Sequence, residues 1–102
     1  MIWLRATSEL DDTLILFTSD HGFFHGEHRV PRGKVLPYEP SIRVPMLMRG
    51  PGLPAGERLG QLVTNADLAP TILDAAGARP GRAQDGRSLL DLVEDPGAQW
   101  DR

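Results

Sequence analysis

Cysteine is absent from the 102-residue chain, which excludes disulfides, thiolate metal ligands and a cysteine nucleophile within it. Long apolar runs are also lacking, since none approaches the roughly 20 residues that span a bilayer. Residues 1–12 contain neither the apolar region nor the small-residue cleavage pattern of a signal peptide. We therefore expect no membrane segment and no export signal in this chain, and its localisation stays open.

An excess of positive charge is missing as well. Eleven basic and 14 acidic residues give a net charge of −3, whereas a general nucleic-acid binder needs a basic face. We therefore expect no nucleic-acid partner. The hydrophobic content of 40% and the charged content of 25% are ordinary for a soluble globular protein. The length allows one domain or part of one, and the oligomeric state stays open.

Strand and helix patterns alternate along the chain. The apolar run 13–18 predicts a strand buried on both faces, as in a parallel sheet covered by helices. A second strand is predicted over 44–49, starting just after Pro45, and a short third strand near 62–63. Together with the helices that the chain also predicts, these runs indicate an α/β fold.

Three helices are predicted. The clearest covers residues 65–76, where Asn65 or Asp67 can cap the start and Gly77 supplies the stop. Its expected buried stripe comprises Leu68, Ile72, Leu73 and Ala76. Residues 2–10 and 88–93 predict shorter helices.

A long loop over residues 19–43 follows the first strand, and loops of this length are usually functional or disordered. Asp20 and His21 open this loop, at the strand end where α/β sheets bind ligands. A carboxylate and a neutral imidazole can both bind Ca²⁺, Mn²⁺ or Zn²⁺. Two side chains do not complete a metal shell, however, so the residues alone leave a metal site and a polar turn both open.

Positive charge is concentrated in the same loop. Residues 25–34 carry Arg29, Arg32 and Lys34 against Glu27, a local net charge of +2 from three basic minus one acidic residue. Cations beside a metal suit an anionic substrate such as a phosphate or sulfate ester. A solvated basic loop is the alternative interpretation.

Four segments, in this order, together resemble the later part of a sulfatase catalytic domain of the alkaline phosphatase-like superfamily. They are TLILFTSDHG, GEHRVPRGK, LPYEPSIRVPMLMRGPG and VTNADLAPTILDAAGARP. The resemblance covers residues 9–92 and is closest to the arylsulfatase and glucosamine-6-sulfatase types. It implies a partial alkaline phosphatase-like fold, a mostly parallel sheet with flanking helices, truncated at the N-terminus. Residues 1–93 would be the C-terminal portion of the catalytic domain and residues 94–102 a mobile tail.

The resemblance also implies roles for individual residues. Asp20 and His21 match the family's late pair of metal ligands, and the ion is usually calcium, with its shell completed by residues absent from this chain. Lys34 matches the lysine that contacts the sulfate group. His25 and His28 lie in the variable part of the loop. We expect His25 to be a catalytic or substrate-binding residue and His28 a substrate-binding one.

The family's nucleophile is a formylglycine made within a Cys/Ser-x-Pro/Ala-x-Arg motif, which this sequence lacks. By resemblance, the chain is therefore part of a sulfuric ester hydrolase acting on aryl or carbohydrate sulfates, and we expect it to be inactive alone. One alternative is a phosphodiesterase or phosphonate-ester hydrolase of the same superfamily. The other is a non-catalytic binding module.

Overall fold

The computed structural model describes residues 1–100, arranged in two compact units, Met1–Pro51 and a second that begins at Gly52. The first unit contains helix α1 (Ile2–Ala6), strand β1 (Ile15–Phe17), helix α2 (Glu39–Ile42) and strand β2 (Leu47–Arg49). The second contains helices α3 (Leu68–Ala75) and α4 (Leu89–Glu94). Among residues 1–100, no helix is both long enough and apolar enough to cross a membrane.

Strands β1 and β2 pair antiparallel, with Ile15 opposite Arg49 and Phe17 opposite Leu47. Within the described residues this corrects the prediction of a mostly parallel sheet, although the mixture of strands and helices agrees with the α/β class. The reason lies in the connection, because a parallel pair needs a crossover, usually a long helix. The segment between the strands contains only short helices, and the chain returns beside β1 in the opposite direction.

Strand β1 is not buried on both faces within this chain. Ile15 and Leu16 are half-buried, whereas the side chain of Phe17 is 59% exposed. Leu47, its partner on β2, is 64% exposed. A strand is buried on both faces only where other layers cover both of them, and the described residues leave Phe17 uncovered. Strand β2 begins after Pro45, as predicted.

Helix α1 is shorter than the helix predicted over residues 2–10. Ser8 adopts a left-handed backbone (φ 61°), which interrupts a right-handed helix. A short 3₁₀ turn then covers Leu10–Asp12, and Leu10 is buried. Trp3, within α1, is 82% exposed.

The long loop of the first unit is held by Phe24, whose side chain is completely buried. The backbone N–H of Phe24 donates to the Gly33 carbonyl at 2.7 Å, so the two arms of the loop form an isolated antiparallel bridge. Tyr38, just before α2, packs its ring edge-on against Phe24, with centroids 6.2 Å apart. The loop is therefore ordered, and its second arm, at Gly33, lies against its first arm, at Phe24.

In the second unit, a capping box precedes α3. The Asp67 carboxylate accepts from the backbone N–H of Thr64 at 2.8 Å, which satisfies a donor that the helix start leaves unpaired. Gly77 (φ 61°) follows the helix end, as predicted. The predicted stripe is partly wrong, because Ile72 and Ala76 are exposed and Thr71 is the buried residue of α3.

Thr71 is buried because its hydroxyl has two partners, a situation that removes the cost of burying a polar group. It donates to the Asp67 carbonyl and accepts from the backbone N–H of Leu89, the first residue of α4. Helix α4 confirms the predicted helix over 88–93, with Ser88 as its cap. The third strand, predicted near 62–63, does not form.

The last described residues contact the rest of the second unit. Trp100 donates its indole N–H to the Leu62 carbonyl at 2.9 Å, and the Arg87 guanidinium lies 4.4 Å from the Trp100 ring centroid. Gln61 donates to the Pro96 carbonyl. The expected mobility of residues 94–102 stays a prediction, and positions 101–102 lie outside the described residues.

Candidate functional site

Strand β1 delivers Asp20 and His21 to a short polar turn. Two residues after the strand ends at Phe17, the Ser19 hydroxyl donates to the His21 carbonyl at 2.9 Å. It also lies 3.4 Å from Oδ1 of Asp20. A side-chain hydroxyl that bonds the backbone two residues further on stabilises a turn. The apolar strand thus ends in a turn that fixes the backbone of both residues.

Two contacts determine which nitrogen of His21 carries its proton. Nδ1 lies 2.7 Å from the Gly22 carbonyl oxygen, and Nε2 lies 2.7 Å from the ammonium nitrogen of Lys34. A carbonyl can only accept a hydrogen bond and an ammonium can only donate. In the neutral form of His21, the proton therefore lies on Nδ1 and the lone pair of Nε2 faces Lys34. Metal-binding histidines use the same arrangement, donating one N–H to a carbonyl.

Asp20 approaches the same nitrogen. Its Oδ2 lies 3.2 Å from Nε2 of His21, and the carboxylate is mostly exposed. Partial desolvation, the largest influence, acts to raise the pKa of Asp20. The His21 imidazole, backbone hydrogen bonds and the Lys34 ammonium outweigh it together, so the pKa lies below its ordinary 3.8. Asp20 is therefore an anion at neutral pH. We call Asp20, His21 and Lys34 the cluster.

The donor atoms of the cluster partly fit a divalent cation. Asp20 presents a hard anionic oxygen and His21 a nitrogen lone pair, and both point towards one small region. Calcium prefers six to eight oxygen ligands, whereas imidazole suits zinc or manganese better. No group of three or more His, Cys, Asp or Glu side chains that could hold an ion occurs within residues 1–100. This chain therefore offers two donors to an ion that needs more.

The loop brings Lys34 back to the cluster through backbone contacts on both sides of it. Gly33 accepts from the buried Phe24 residue, and the Ser41 hydroxyl donates to the Lys34 carbonyl at 3.1 Å. Lys34 is the single lysine of the chain. Its placement thirteen residues after His21 results from the folded loop.

His25 and His28 lie against aromatic rings. The His25 ring tilts against Phe23 with centroids 5.3 Å apart, and the His28 ring stacks on Tyr38 at 4.9 Å. His28 has a left-handed backbone (φ 56°), a strained conformation often found at functional sites. The substrate contacts and the catalytic role predicted for these histidines stay predictions.

Glu27 stabilises the turn that carries both histidines. Its carboxylate accepts from the backbone N–H of His25 at 2.6 Å. This hydrogen bond is the main reason that the pKa of Glu27 lies below its ordinary 4.5, and the neighbouring histidines add to the effect. Glu27 is exposed, so the turn is held at the surface.

Sequence reasoning missed the part that Ser41 plays at the site. Ser41 is 5% exposed, and its backbone carbonyl accepts from the N–H of Gly22 at 2.7 Å. The segment LPYEPSIRVPMLMRGPG contributes to the resemblance, but it assigns no role to Ser41. No periodicity marks a lone buried serine, because the contacts it makes are distant in sequence.

Comparison with known proteins gives concordant similarities. A protein-family model described as Sulfatase matches residues 1–78. The extracellular sulfatase SULF-1 homolog of Drosophila melanogaster is 46% identical over 90 residues, which are 88% of this chain and 8% of the relative. Human N-acetylglucosamine-6-sulfatase is 45% identical over 91 residues, which are 88% of this chain and 16% of the relative. The chain thus spans a small part of the curated relatives it matches.

Two solved structures are also similar. One is a protein in complex with its substrate D-glucosamine-2-N,6-O-disulfate, with 39% identity and a TM-score of 0.83 over 94% of this chain and 19% of that one. The other is a phosphonate monoester hydrolase from Silicibacter pomeroyi, with 35% identity and a TM-score of 0.89 over 98% of this chain and 20% of that one.

Proposed function

This chain belongs to the sulfatase family, and from that premise we propose that it supplies one side of a sulfate-ester hydrolysis site. The solved neighbours have the alkaline phosphatase-like fold, which confirms the predicted fold class. The proposal concerns the whole protein's reaction, of which the cluster is the part present here. The substrate would be an aryl or carbohydrate sulfate.

The observation that carries the proposal is the convergence on Nε2 of His21. An anionic oxygen of Asp20 and an ammonium of Lys34 approach this one nitrogen from different residues. An anionic and a cationic side chain at one place can bind a cation and an anionic substrate next to each other. Asp20 and His21 would hold a divalent cation, and Lys34 would contact an oxygen of the anionic substrate.

Each residue then has a distinct role. By resemblance the cation is calcium, and when bound it would supply positive charge beside the ester group. His21 would present its Nε2 lone pair to the cation, because the Gly22 carbonyl can accept a hydrogen bond from the proton on Nδ1. Lys34, which faces this nitrogen in the structure, would then turn to the anionic substrate. Lys34 would bind a sulfate oxygen and stabilise the negative charge that increases there as the ester bond breaks.

We therefore expect that the 102-residue chain alone does not hydrolyse sulfate esters. The family's formylglycine motif is missing from its sequence, and covalent catalysis without its nucleophile loses most of its rate. Turnover of a chromogenic aryl sulfate by the purified chain, lost on Lys34→Ala, would contradict this part of the proposal.

A phosphonate or phosphate ester hydrolase is the second candidate. It is favoured by the TM-score of 0.89 to the phosphonate monoester hydrolase, and the charges of the cluster suit any tetrahedral anion. A protein that carries this segment with a nucleophile would separate the candidates. A kcat/KM for a chromogenic sulfate above that for the matching phosphonate monoester supports sulfatase, and the reverse order supports the second candidate.

A further inference from the structure

Ser41 contacts both arms of the loop that carry the cluster. Its hydroxyl donates to the Lys34 carbonyl at 3.1 Å, and its own carbonyl accepts from the Gly22 N–H at 2.7 Å. Gly22 directly follows His21. One buried residue therefore bonds the backbone next to the proposed metal ligand and the backbone of the proposed anion-binding lysine.

The packing around this serine leaves little freedom. A Cβ placed on Gly22 would overlap the Pro40 carbonyl oxygen, a contact that no side chain tolerates, and would lie 3.2 Å from the Ser41 carbonyl carbon. The start of the loop therefore passes directly against the backbone of α2. Such a close approach of two backbone segments requires glycine at position 22.

Helix α2 is itself anchored. Tyr38, which precedes it, stacks on His28 and packs edge-on against the fully buried Phe24 ring. The first turn contains Pro40, which restricts the backbone before Ser41. Ser41 thus lies on a short helix held by aromatic contacts and can fix the loop arms against it.

We propose that Ser41 is a positioning residue that sets the distance between Lys34 and His21, and thereby the spacing of the anion-binding and metal-binding groups. The inference rests on the proposed function for the roles of those two residues. The Ser41 hydroxyl bonds the backbone of Lys34, while the Ser41 carbonyl bonds the backbone of Gly22, next to His21. Removal of the hydroxyl should therefore affect anion binding and spare metal binding.

The test uses the full chain with Ser41→Ala, Ser41→Thr and the control Ser88→Ala. Ser88 also makes side-chain hydrogen bonds, to Asp74 and Leu90, but it lies in the second unit. Four quantities are measured: the NOE between the Lys34 and His21 side chains, the dissociation constant of inorganic sulfate, that of Mn²⁺, and the urea midpoint of unfolding.

We expect Ser41→Ala to weaken the NOE and to raise the sulfate dissociation constant roughly three- to tenfold, the effect of one lost hydrogen bond. The dissociation constant of Mn²⁺ should stay unchanged in Ser41→Ala. Ser41→Thr, which keeps a hydroxyl, should retain the sulfate affinity of the wild-type chain. Ser88→Ala lowers the urea midpoint without altering the NOE or either constant. If Ser41→Ala does not fold, Ser41→Cys replaces it, because its volume is similar and its thiol is a weak donor.

An unchanged NOE and unchanged sulfate affinity in Ser41→Ala would overturn the proposal. An equal loss of sulfate affinity in Ser88→Ala would also overturn it, since the effect would then follow stability alone. If the wild-type chain binds no sulfate, the proposed function fails at this point. The NOE still decides whether Ser41 positions Lys34, so the two failures are distinguishable.

Discussion

The ammonium nitrogen of Lys34 lies 2.7 Å from Nε2 of His21, although the two residues are thirteen positions apart in the chain. The contact gives the lysine a fixed place beside the lone pair that a metal ligand would use. It also joins the two ends of a loop whose arms are bonded at Phe24 and Gly33.

Lys34→Ala should remove anion binding and leave metal binding intact. Lys34 contributes the ammonium that faces the cluster, and a group that stabilises transition-state charge contributes roughly 10²–10³-fold to the rate. In a protein that carries this segment with a nucleophile, kcat should fall by that factor while metal content is unchanged. Arg32→Ala, a control in the same loop, should change kcat by much less. Equal losses in both variants would indicate that only the net charge of the loop matters.

His21→Asn should retain more metal affinity than His21→Ala. Asparagine offers a carbonyl oxygen as a ligand, whereas alanine offers none. Isothermal titration of the chain with Ca²⁺ and Mn²⁺ would measure the difference, and His25→Asn serves as the control because that ring lies against Phe23. A loss of affinity in His25→Asn as large as that in His21→Ala would place the ion elsewhere in the loop.

Glu27 should make the histidine turn depend on pH. Its pKa in the folded chain is lower than the ordinary 4.5, chiefly because it accepts from the His25 N–H. The stabilisation of the turn by Glu27 is therefore fully present above the ordinary pKa of 4.5. It is lost as the pH falls through the lowered pKa of the folded chain. The amide proton shift of His25 should report this transition below pH 4.5. Glu27→Gln should abolish the transition, and its persistence in that variant would assign it to another group.

Asp67→Ala should destabilise the second unit strongly. Asp67 is completely buried, and its carboxylate accepts from the backbone N–H groups of Thr64 and Arg87 at 2.8 and 2.9 Å. Removal leaves these donors unpaired, at a cost of about 2–4 kcal/mol. Urea unfolding should show this loss, while the exposed Asp91→Ala should change stability by less than about 0.5 kcal/mol. Similar values for the two variants would contradict the role of the capping box.

Local signals in the sequence predict several elements correctly. Asp67 and Gly77 predict the ends of α3 because helix starts and ends depend on neighbouring residues. The N-cap of the capping box is Thr64, however, and not Asn65 or Asp67. Pro45 places the start of β2 because proline limits strand pairing. The position of Asp20 and His21 after β1 follows from the abrupt end of an apolar run. Each of these features is determined within a few residues.

Features that depend on distant contacts could not be predicted in this way. The antiparallel pairing of β1 and β2 depends on how the long loop returns. Burial of Thr71 in place of Ile72 depends on a partner N–H in α4. The role of Ser41 depends on two backbone groups 7 and 19 positions away in sequence. Apolar periodicity does not contain this information.

The most direct test of the proposed metal and anion site is a Mn²⁺ titration of the chain followed by NMR, because paramagnetic broadening of nearby signals reports even weak binding. The chain contains three histidines and one lysine, so each side-chain signal is distinguishable. If Asp20 and His21 hold the ion beside Lys34, the His21 and Lys34 signals broaden before those of His25 and His28, and Asp20→Ala prevents this. Equal broadening of all three histidines, or selective broadening that persists in Asp20→Ala, would contradict the account.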